Sequence, residues 1–106
     1  MNRLEHLLTS VGEECNEIGQ RASKAARFGL LEVQPGQDLD NLRRMMGEFA
    51  DLCGAIELLH SEPIMGEDQN ARLEYLIAQL RPQIDAKKAK LEKFLLYSEK
   101  LGTLTP

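Results

Sequence analysis

The chain has 106 residues, of which 42% are hydrophobic and only 5% aromatic, and its formal net charge at pH 7 is -4. This length allows one ordinary domain with a modest core of Leu, Ile, Ala and Met, of the kind that chains often complete by association with copies of themselves. The negative charge argues against a protein that follows a nucleic-acid backbone, because such binding needs clustered lysine and arginine.

The two cysteines, Cys15 and Cys53, each lie in an apolar periodic segment without a nearby Cys or His partner. This pattern is typical of reduced core thiols, and therefore of a reducing compartment. The N-terminal stretch MNRLEHLLTSVGEE has a charged or polar residue every few positions, so it predicts neither a signal peptide nor a membrane span. We expect a soluble, cytoplasmic protein that acts neither on a membrane nor on nucleic acid.

The first predicted element is an amphipathic helix over about residues 3–28, which Gly29 ends. Its apolar residues are three or four positions apart, as on one face of a helix. They are Leu4, Leu8, Val11, Cys15, Ile18, Ala22 and Ala25.

The second predicted helix follows a turn marked by Pro35 and Gly36. Asp38 or Asp40 is placed to cap its N-terminus, and the segment HSEPIMGED ends it. Its apolar residues keep the same spacing, in Leu42, Met45, Phe49, Leu52, Ile56 and Leu59.

A third long segment continues the spacing, with Lys87 and Ser98 as interruptions. Its apolar positions are Leu73, Ile77, Leu80, Ile84, Leu91 and Phe94. Pro82 predicts a kink, or a new helix after Leu80, because proline lacks an amide donor and clashes with the preceding turn. No segment alternates with period two. The sequence thus predicts a single all-α domain over residues 1–106, a bundle of three or four helices completed by oligomerisation.

Two pairs of acidic residues are the candidate metal ligands of the sequence. Glu14 and Glu17 on the first helix, and Glu48 and Asp51 on the second, are each three residues apart, so each pair can aim at one ion. If the helices lie side by side, four carboxylates meet and repel each other unless a cation neutralises them. Hard oxygen ligands suit Mg²⁺ or Mn²⁺.

The alternative explanation is a solvated helix surface, since glutamate favours helices and charge runs are commonly exposed. Glu17 can then form an ordinary surface ion pair with Arg21 or, less directly, Lys24. Other metal chemistries fit less well, because neither His6 nor His60 lies three residues after a Glu, and no Cys and His residues have zinc-site spacing.

The stretches EECNE (13–17) and EFAD (48–51) together resemble the E-E-x-x-E … E-x-x-D signature of the MazG-like, all-α nucleoside triphosphate pyrophosphohydrolases. The resemblance is to short single-domain members, and it extends through GQRASKAARFGLLEVQPGQ to about residue 60. It implies hydrolysis of a nucleoside triphosphate between the α and β phosphates, with dGTP as our first candidate substrate. It also implies a homo-oligomer, a dimer or a tetramer with the tetramer favoured, in which neighbouring chains complete the nucleotide pocket.

The resemblance also implies the roles of the acidic residues. Glu14, Glu17, Glu48 and Asp51 would hold Mg²⁺, with Mn²⁺ as a substitute. Glu13 would take an additional metal ion, or orient and deprotonate the attacking water. The predicted catalytic residues are therefore Glu13, Glu14 and Glu17.

Cations beyond the acids extend the predicted site toward a phosphate chain. Lys24 and Arg27 follow Glu17 by roughly 10 to 15 Å along the helix axis, which is about the reach of a triphosphate. We expect Lys24 to contact phosphate, with Arg21 and Arg27 as further candidates. Asn16 and Gln20 either read a base edge or are exposed amides.

Two other functions remain open from the sequence. The chain is either a helical dimerisation or adaptor protein whose acidic stripe is a solvated face, or an enzyme like phosphoribosyl-ATP pyrophosphohydrolase. Four lysines of the third helix are either solvated surface or a neighbouring chain's contribution to phosphate binding; they are Lys87, Lys88, Lys90 and Lys93.

Overall fold

A computed structural model describes residues 1–68 and 72–105. Their regular structure is entirely helical: α1 (Arg3–Phe28), α2 (Asn41–His60), a short 3₁₀ segment (Pro63–Asp68) and α3 (Leu73–Leu101). These residues form no strand, so the all-α prediction is confirmed for them. The chain divides into two compact units, Met1–Leu73 and Glu74–Pro106. The expected oligomer and the single domain stay predictions.

The ends of α1 and α2 follow from local hydrogen bonds that the sequence largely predicts. Gly29 ends α1 with φ 109°, where its amide donates to the carbonyl of Ala25. A positive φ is costly for residues with a Cβ, so glycine suits this position. Asp40, and not Asp38, caps α2, because its carboxylate accepts a hydrogen bond of 2.8 Å from the amide of Arg43.

The linker between α1 and α2 is bound to the start of α2. Asn41 is only 2% exposed, and its side-chain amide donates to the carbonyl of Gly29 over 2.8 Å. The amide of Asn41 donates to Glu32, and that of Leu42 to Leu30. These bonds hold the end of α1 beside the beginning of α2, so the two helices run antiparallel.

The α1 face that packs on α2 differs from the predicted one by one residue at three positions. Leu8, Cys15 and Ala22 of the predicted face are exposed. Their preceding neighbours are instead buried or half-buried: Leu7, Glu14 and Arg21. Both series share Leu4, Val11, Ile18 and Ala25, so spacing alone does not separate them. The predicted apolar face of α1 is therefore wrong at these three positions, and two charged side chains lie in the helix interface.

The helix pair has a thin core. Leu7 is the one apolar side chain of the described part of the first unit that is fully buried, at 7% exposed. At the end of the helix pair opposite the linker, the guanidinium of Arg3 donates to the buried carboxylate of Glu62. Large apolar side chains remain exposed throughout this unit: Leu8, Phe28, Leu30, Leu31, Val33, Leu39, Met46, Phe49, Leu58 and Ile64.

The helix α3 continues past Pro82, so the predicted new helix after Leu80 does not form. Proline removes one amide donor, the one that would bond the carbonyl of Ala78. Ala78 and Pro82 are both exposed, so water can satisfy that carbonyl. None of the helices in the described ranges is both long and apolar enough to cross a membrane.

The C-terminal end of α3 is closed by backbone hydrogen bonds. The amide of Gly102 donates to Glu99, and that of Thr103 to Ser98, each over 3.0 Å. This is the Schellman arrangement, in which a residue with positive φ, here Gly102 at 74°, follows the last helical turn. The first two residues of the C-terminal segment GTLTP therefore form the cap of α3.

Candidate functional site

Three carboxylates from two helices meet at the middle of the α1–α2 pair. Glu14 of α1 and Glu48 and Asp51 of α2 each offer an oxygen within 4.8 Å of the other two. Glu14 and Glu48 are half-buried and Asp51 is exposed. We call these three residues the carboxylate cluster. It joins the two acidic stretches that lie more than thirty residues apart in the sequence, because the helices are antiparallel.

Glu14 has the most perturbed environment of the cluster. Its pKa is raised above the usual value for a glutamate. The largest cause is its partial removal from water, followed by repulsion from four carboxylates: Asp51, Glu48, Glu17 and Glu13. Both causes disfavour the ionised form, so a bound cation would relieve both.

Among the residues that the structure describes, one cation lies against the carboxylate cluster. The Nε of Arg21 is 3.9 Å from a carboxylate oxygen of Glu48, which is an ion pair but too long for a hydrogen bond. Nε and Nη1 of Arg21 are buried and have no hydrogen-bond partner among the described residues. Three carboxylates and one guanidinium leave two negative charges when all are ionised, which matches the charge of one divalent ion.

Glu13 and Glu17 lie beside the cluster and not in it. Glu17 is half-buried and Glu13 is exposed. At 100° per residue, Glu17 is about 60° and Glu13 about 100° around α1 from Glu14. The structure thus brings together three of the four predicted metal ligands, and it places Glu17 on the adjoining flank. Both residues still repel Glu14 electrostatically.

An open groove of about 760 Å³ follows α1 beyond the acids. Four of the five predicted substrate-binding residues line it: Asn16, Gln20, Lys24 and Arg27. Gly19 and Ser23 also line it, and sequence reasoning missed both, although their small size at this spacing was visible. The fifth predicted residue, Arg21, is not among the lining residues and contacts Glu48 instead.

The groove and the carboxylate cluster lie on different faces of α1. Helical geometry puts Lys24 about 80° from Glu14, Gln20 about 120° and Arg27 about 140°. Lys24 is also half-buried, whereas Gln20 and Arg27 are exposed. Lys24 is therefore the groove residue that is best placed to act together with the cluster.

The donor set fits a hard divalent cation. Mg²⁺ binds carboxylate oxygens at about 2.0–2.1 Å, so two of its ligand atoms are at most about 4.2 Å apart. The cluster oxygens, within 4.8 Å of one another, need only small side-chain rotations to reach that spacing. The exposed Asp51 is free to make such a rotation, and its exposure leaves room for the waters that Mg²⁺ retains.

Comparison of the chain with protein-family models, with curated proteins and with solved structures gave no match. The features of this chain that indicate a function are therefore its sequence signature and the geometry of these residues.

Proposed function

We propose that the protein is a Mg²⁺-dependent nucleoside triphosphate pyrophosphohydrolase, which cleaves (d)NTPs between the α and β phosphates to give the monophosphate and pyrophosphate. The observation that supports this most is the meeting of Glu14 with Glu48 and Asp51. These residues come from the two halves of the E-E-x-x-E … E-x-x-D signature. A solvated acidic stripe does not require the two halves to converge.

The carboxylate cluster would hold the metal ion, with Glu17 on the adjoining flank as a further ligand. When bound, Mg²⁺ supplies neutralisation of the phosphate oxygens and a lowered pKa for water. Arg21 fixes the position of Glu48 by its charge and balances one of the carboxylates when no ion is bound. Mn²⁺ has similar ligand preferences and is the expected substitute.

Glu13 is exposed, and its position on α1 suits it to orient and deprotonate the attacking water. It lies on the Glu17 flank of α1 and not in the helix interface. A carboxylate there can accept the proton of a water molecule, or hold a second ion. Glu13, Glu14 and Glu17 are therefore the proposed catalytic group of α1.

The phosphate chain would extend from the cluster past Glu17 to Lys24. Lys24 is about two turns beyond Glu17 along α1 and is the groove cation turned least from Glu14. Its ammonium group can bind phosphate as a point charge. Gln20 and Asn16, with both donors and acceptors, are the proposed contacts to the base, and Arg27 is the outermost cation.

The competing proposal is a non-catalytic helical adaptor, which the many exposed apolar side chains favour. A product assay separates the two. We would incubate the protein with each NTP, each dNTP and phosphoribosyl-ATP, with Mg²⁺ or with EDTA, and identify the products by mass. We expect monophosphate and pyrophosphate from at least one triphosphate, dGTP first, and only with Mg²⁺. Release of orthophosphate, or no turnover of any substrate, would contradict the proposal.

A further inference from the structure

Arg21 lies against the carboxylate cluster in an environment that is unusual for an arginine. Its side chain is 19% exposed, and its Nε and Nη1 are buried without a hydrogen-bond partner among the described residues. Removing a guanidinium from water in this way costs free energy. The attraction of the carboxylates offsets that cost, so the charge of the cluster is what holds Arg21 in the helix interface.

Glu48 couples Arg21 to the rest of the cluster. Arg21 follows Glu14 by seven residues, which puts the two side chains about 20° apart around α1. Glu48 of α2 is shared by them. One of its oxygens lies 3.9 Å from Nε of Arg21. One lies within 4.8 Å of oxygens of Glu14 and Asp51. The charge of Arg21 therefore acts on the place where the cluster would hold a cation.

The contact between Arg21 and Glu48 is one of charge. At 3.9 Å it is too long for a hydrogen bond, so Arg21 does not orient this carboxylate as Arg3 orients that of Glu62. An arginine keeps its proton in proteins, so the charge is permanent. Because Nε and Nη1 are shielded from water, that charge is screened less than a surface charge.

We propose that Arg21 is a permanent counter-ion of the carboxylate cluster, which stabilises the metal-free fold and lowers the affinity of the cluster for Mg²⁺. This inference rests on the metal site of the proposed function. Without metal, Arg21 reduces three negative charges to two. When the ion binds, the guanidinium gains a cation as its neighbour, and the two repel each other. Arg21 thus stabilises the metal-free protein more than the loaded one, and this difference lowers the affinity.

Arg21→Gln tests the proposal through two effects of opposite sign. We expect it to lower the Tm in EDTA by several degrees, because the cluster loses its counter-ion. We also expect it to tighten Mg²⁺ binding by about fivefold or more, the usual range for coupled sites. The EPR signal of free Mn²⁺ measures Mn²⁺ binding, competition with Mn²⁺ measures Mg²⁺ binding, and circular dichroism measures the Tm. A residue that only supports the fold, or that positions Glu48 as a ligand, would lose stability without a gain in metal affinity.

Two control variants separate charge from the other properties of the side chain. Arg21→Lys keeps the charge with fewer donors, so it should bind Mg²⁺ within about twofold of the native protein. Arg81→Gln removes the same charge from an exposed ion pair with Asp85 on α3, and it should leave the Mg²⁺ affinity unchanged. If Arg21→Gln is unfolded in EDTA, Mg²⁺ should fold it, and a variant that Mg²⁺ does not fold would contradict the proposal.

The possible results distinguish the role of Arg21 from the proposed function. Mg²⁺ binding by Arg21→Gln that is no tighter than by the native protein, or marked weakening in Arg21→Lys, would overturn the role of Arg21 and leave the hydrolase proposal intact. No binding of Mg²⁺ or Mn²⁺ by any of these chains would overturn both. Tighter binding by Arg21→Gln, in a protein that cleaves no triphosphate, would support the role of Arg21 and contradict the proposed function.

Discussion

The α1–α2 pair contains two acid–base groups that differ in charge balance. At one end, the buried carboxylate of Glu62 accepts a hydrogen bond from Arg3, so one anion meets one cation. At the middle, three carboxylates meet Arg21, whose Nε is 3.9 Å from a carboxylate oxygen of Glu48. The first group needs nothing further to be stable. The second keeps an excess of negative charge within the fold, and such an arrangement is expected where a cation binds.

The largest expected difference between the two groups is in activity. Glu48→Gln removes a proposed metal ligand, so we expect kcat/KM for triphosphate hydrolysis to fall by at least about 100-fold, the scale of losing one preorganised electrostatic group. Glu62→Gln, outside the cluster, should retain activity when assayed well below its melting temperature. Equal effects of the two substitutions would mean that the cluster has no special role.

Substitutions in the two groups should change the free energy of unfolding in different directions. Arg3→Gln leaves the carboxylate of Glu62 buried without its partner, and we expect it to lower the free energy of unfolding by roughly 1–3 kcal/mol. Glu48→Gln relieves repulsion and should leave that free energy unchanged or raised in EDTA. Urea unfolding followed by circular dichroism measures both. A marked loss of stability in Glu48→Gln would show that the cluster is a structural ion-pair network.

Two groove cations test how far the site extends from the cluster. Lys24→Gln should raise KM about tenfold, because charge-assisted hydrogen bonds are commonly worth somewhat more than 1 kcal/mol. Arg27→Gln makes the same change in charge further around α1, and it should have a smaller effect. Steady-state kinetics on the best substrate compares them. If Arg27→Gln has the larger effect, the phosphate chain does not follow the Glu17 flank.

Mg²⁺ should stabilise the native protein through the cluster alone. At a concentration ten times its Kd, an ion that binds only the folded chain adds about 1.4 kcal/mol, which raises the Tm of a domain of this size by several degrees. Thermal unfolding with Mg²⁺ and with EDTA measures this shift. The double substitution Glu14→Gln with Glu48→Gln should abolish it, whereas Glu62→Gln should retain it. A shift that survives in the double variant would place the metal elsewhere.

The smallest expected effect is on pH dependence. The pKa of Glu14 is raised in the folded chain, so folding strengthens its hold on a proton. Its contribution to stability therefore falls as the pH rises from the ordinary pKa of a glutamate to the raised value, and is constant above that. Without metal, the stability difference between the native protein and Glu14→Gln should change over this window. Mg²⁺ competes with the proton, so its Tm shift should shrink as the pH falls through the same window.

Much of the local structure could be predicted from the sequence. The bounds of α1, the caps at Gly29 and Asp40, and the turn at Pro35 and Gly36 depend on hydrogen bonds between close neighbours in the chain. Of the two outcomes expected at Pro82, a kink or a new helix, the new helix does not form. The continuation of the helix depends on how the carbonyl of Ala78 is satisfied, and the exposure of Ala78 is not encoded locally.

The candidate site could be predicted in composition but not in arrangement. The two acidic pairs are visible as short motifs, and three of their four members do converge. The separation of Glu17 from the cluster, and the position of Arg21 against Glu48, depend on the rotation of α1 about its axis. The sequence offers two overlapping apolar series that differ by one residue, and packing against α2 selects between them.

By itself, the sequence determined where the helices lie and which charged residues they carry, because helix propensity, capping and periodicity act over a few residues. Only the tertiary structure decided that Glu14 and Arg21 turn into the helix interface while Cys15 and Ala22 stay exposed. It also decided that Glu62 meets Arg3. The reason is that turning a helix about its own axis by roughly 50°, half the angle between successive residues, changes none of its internal hydrogen bonds. Only the contacts with a second helix fix that rotation.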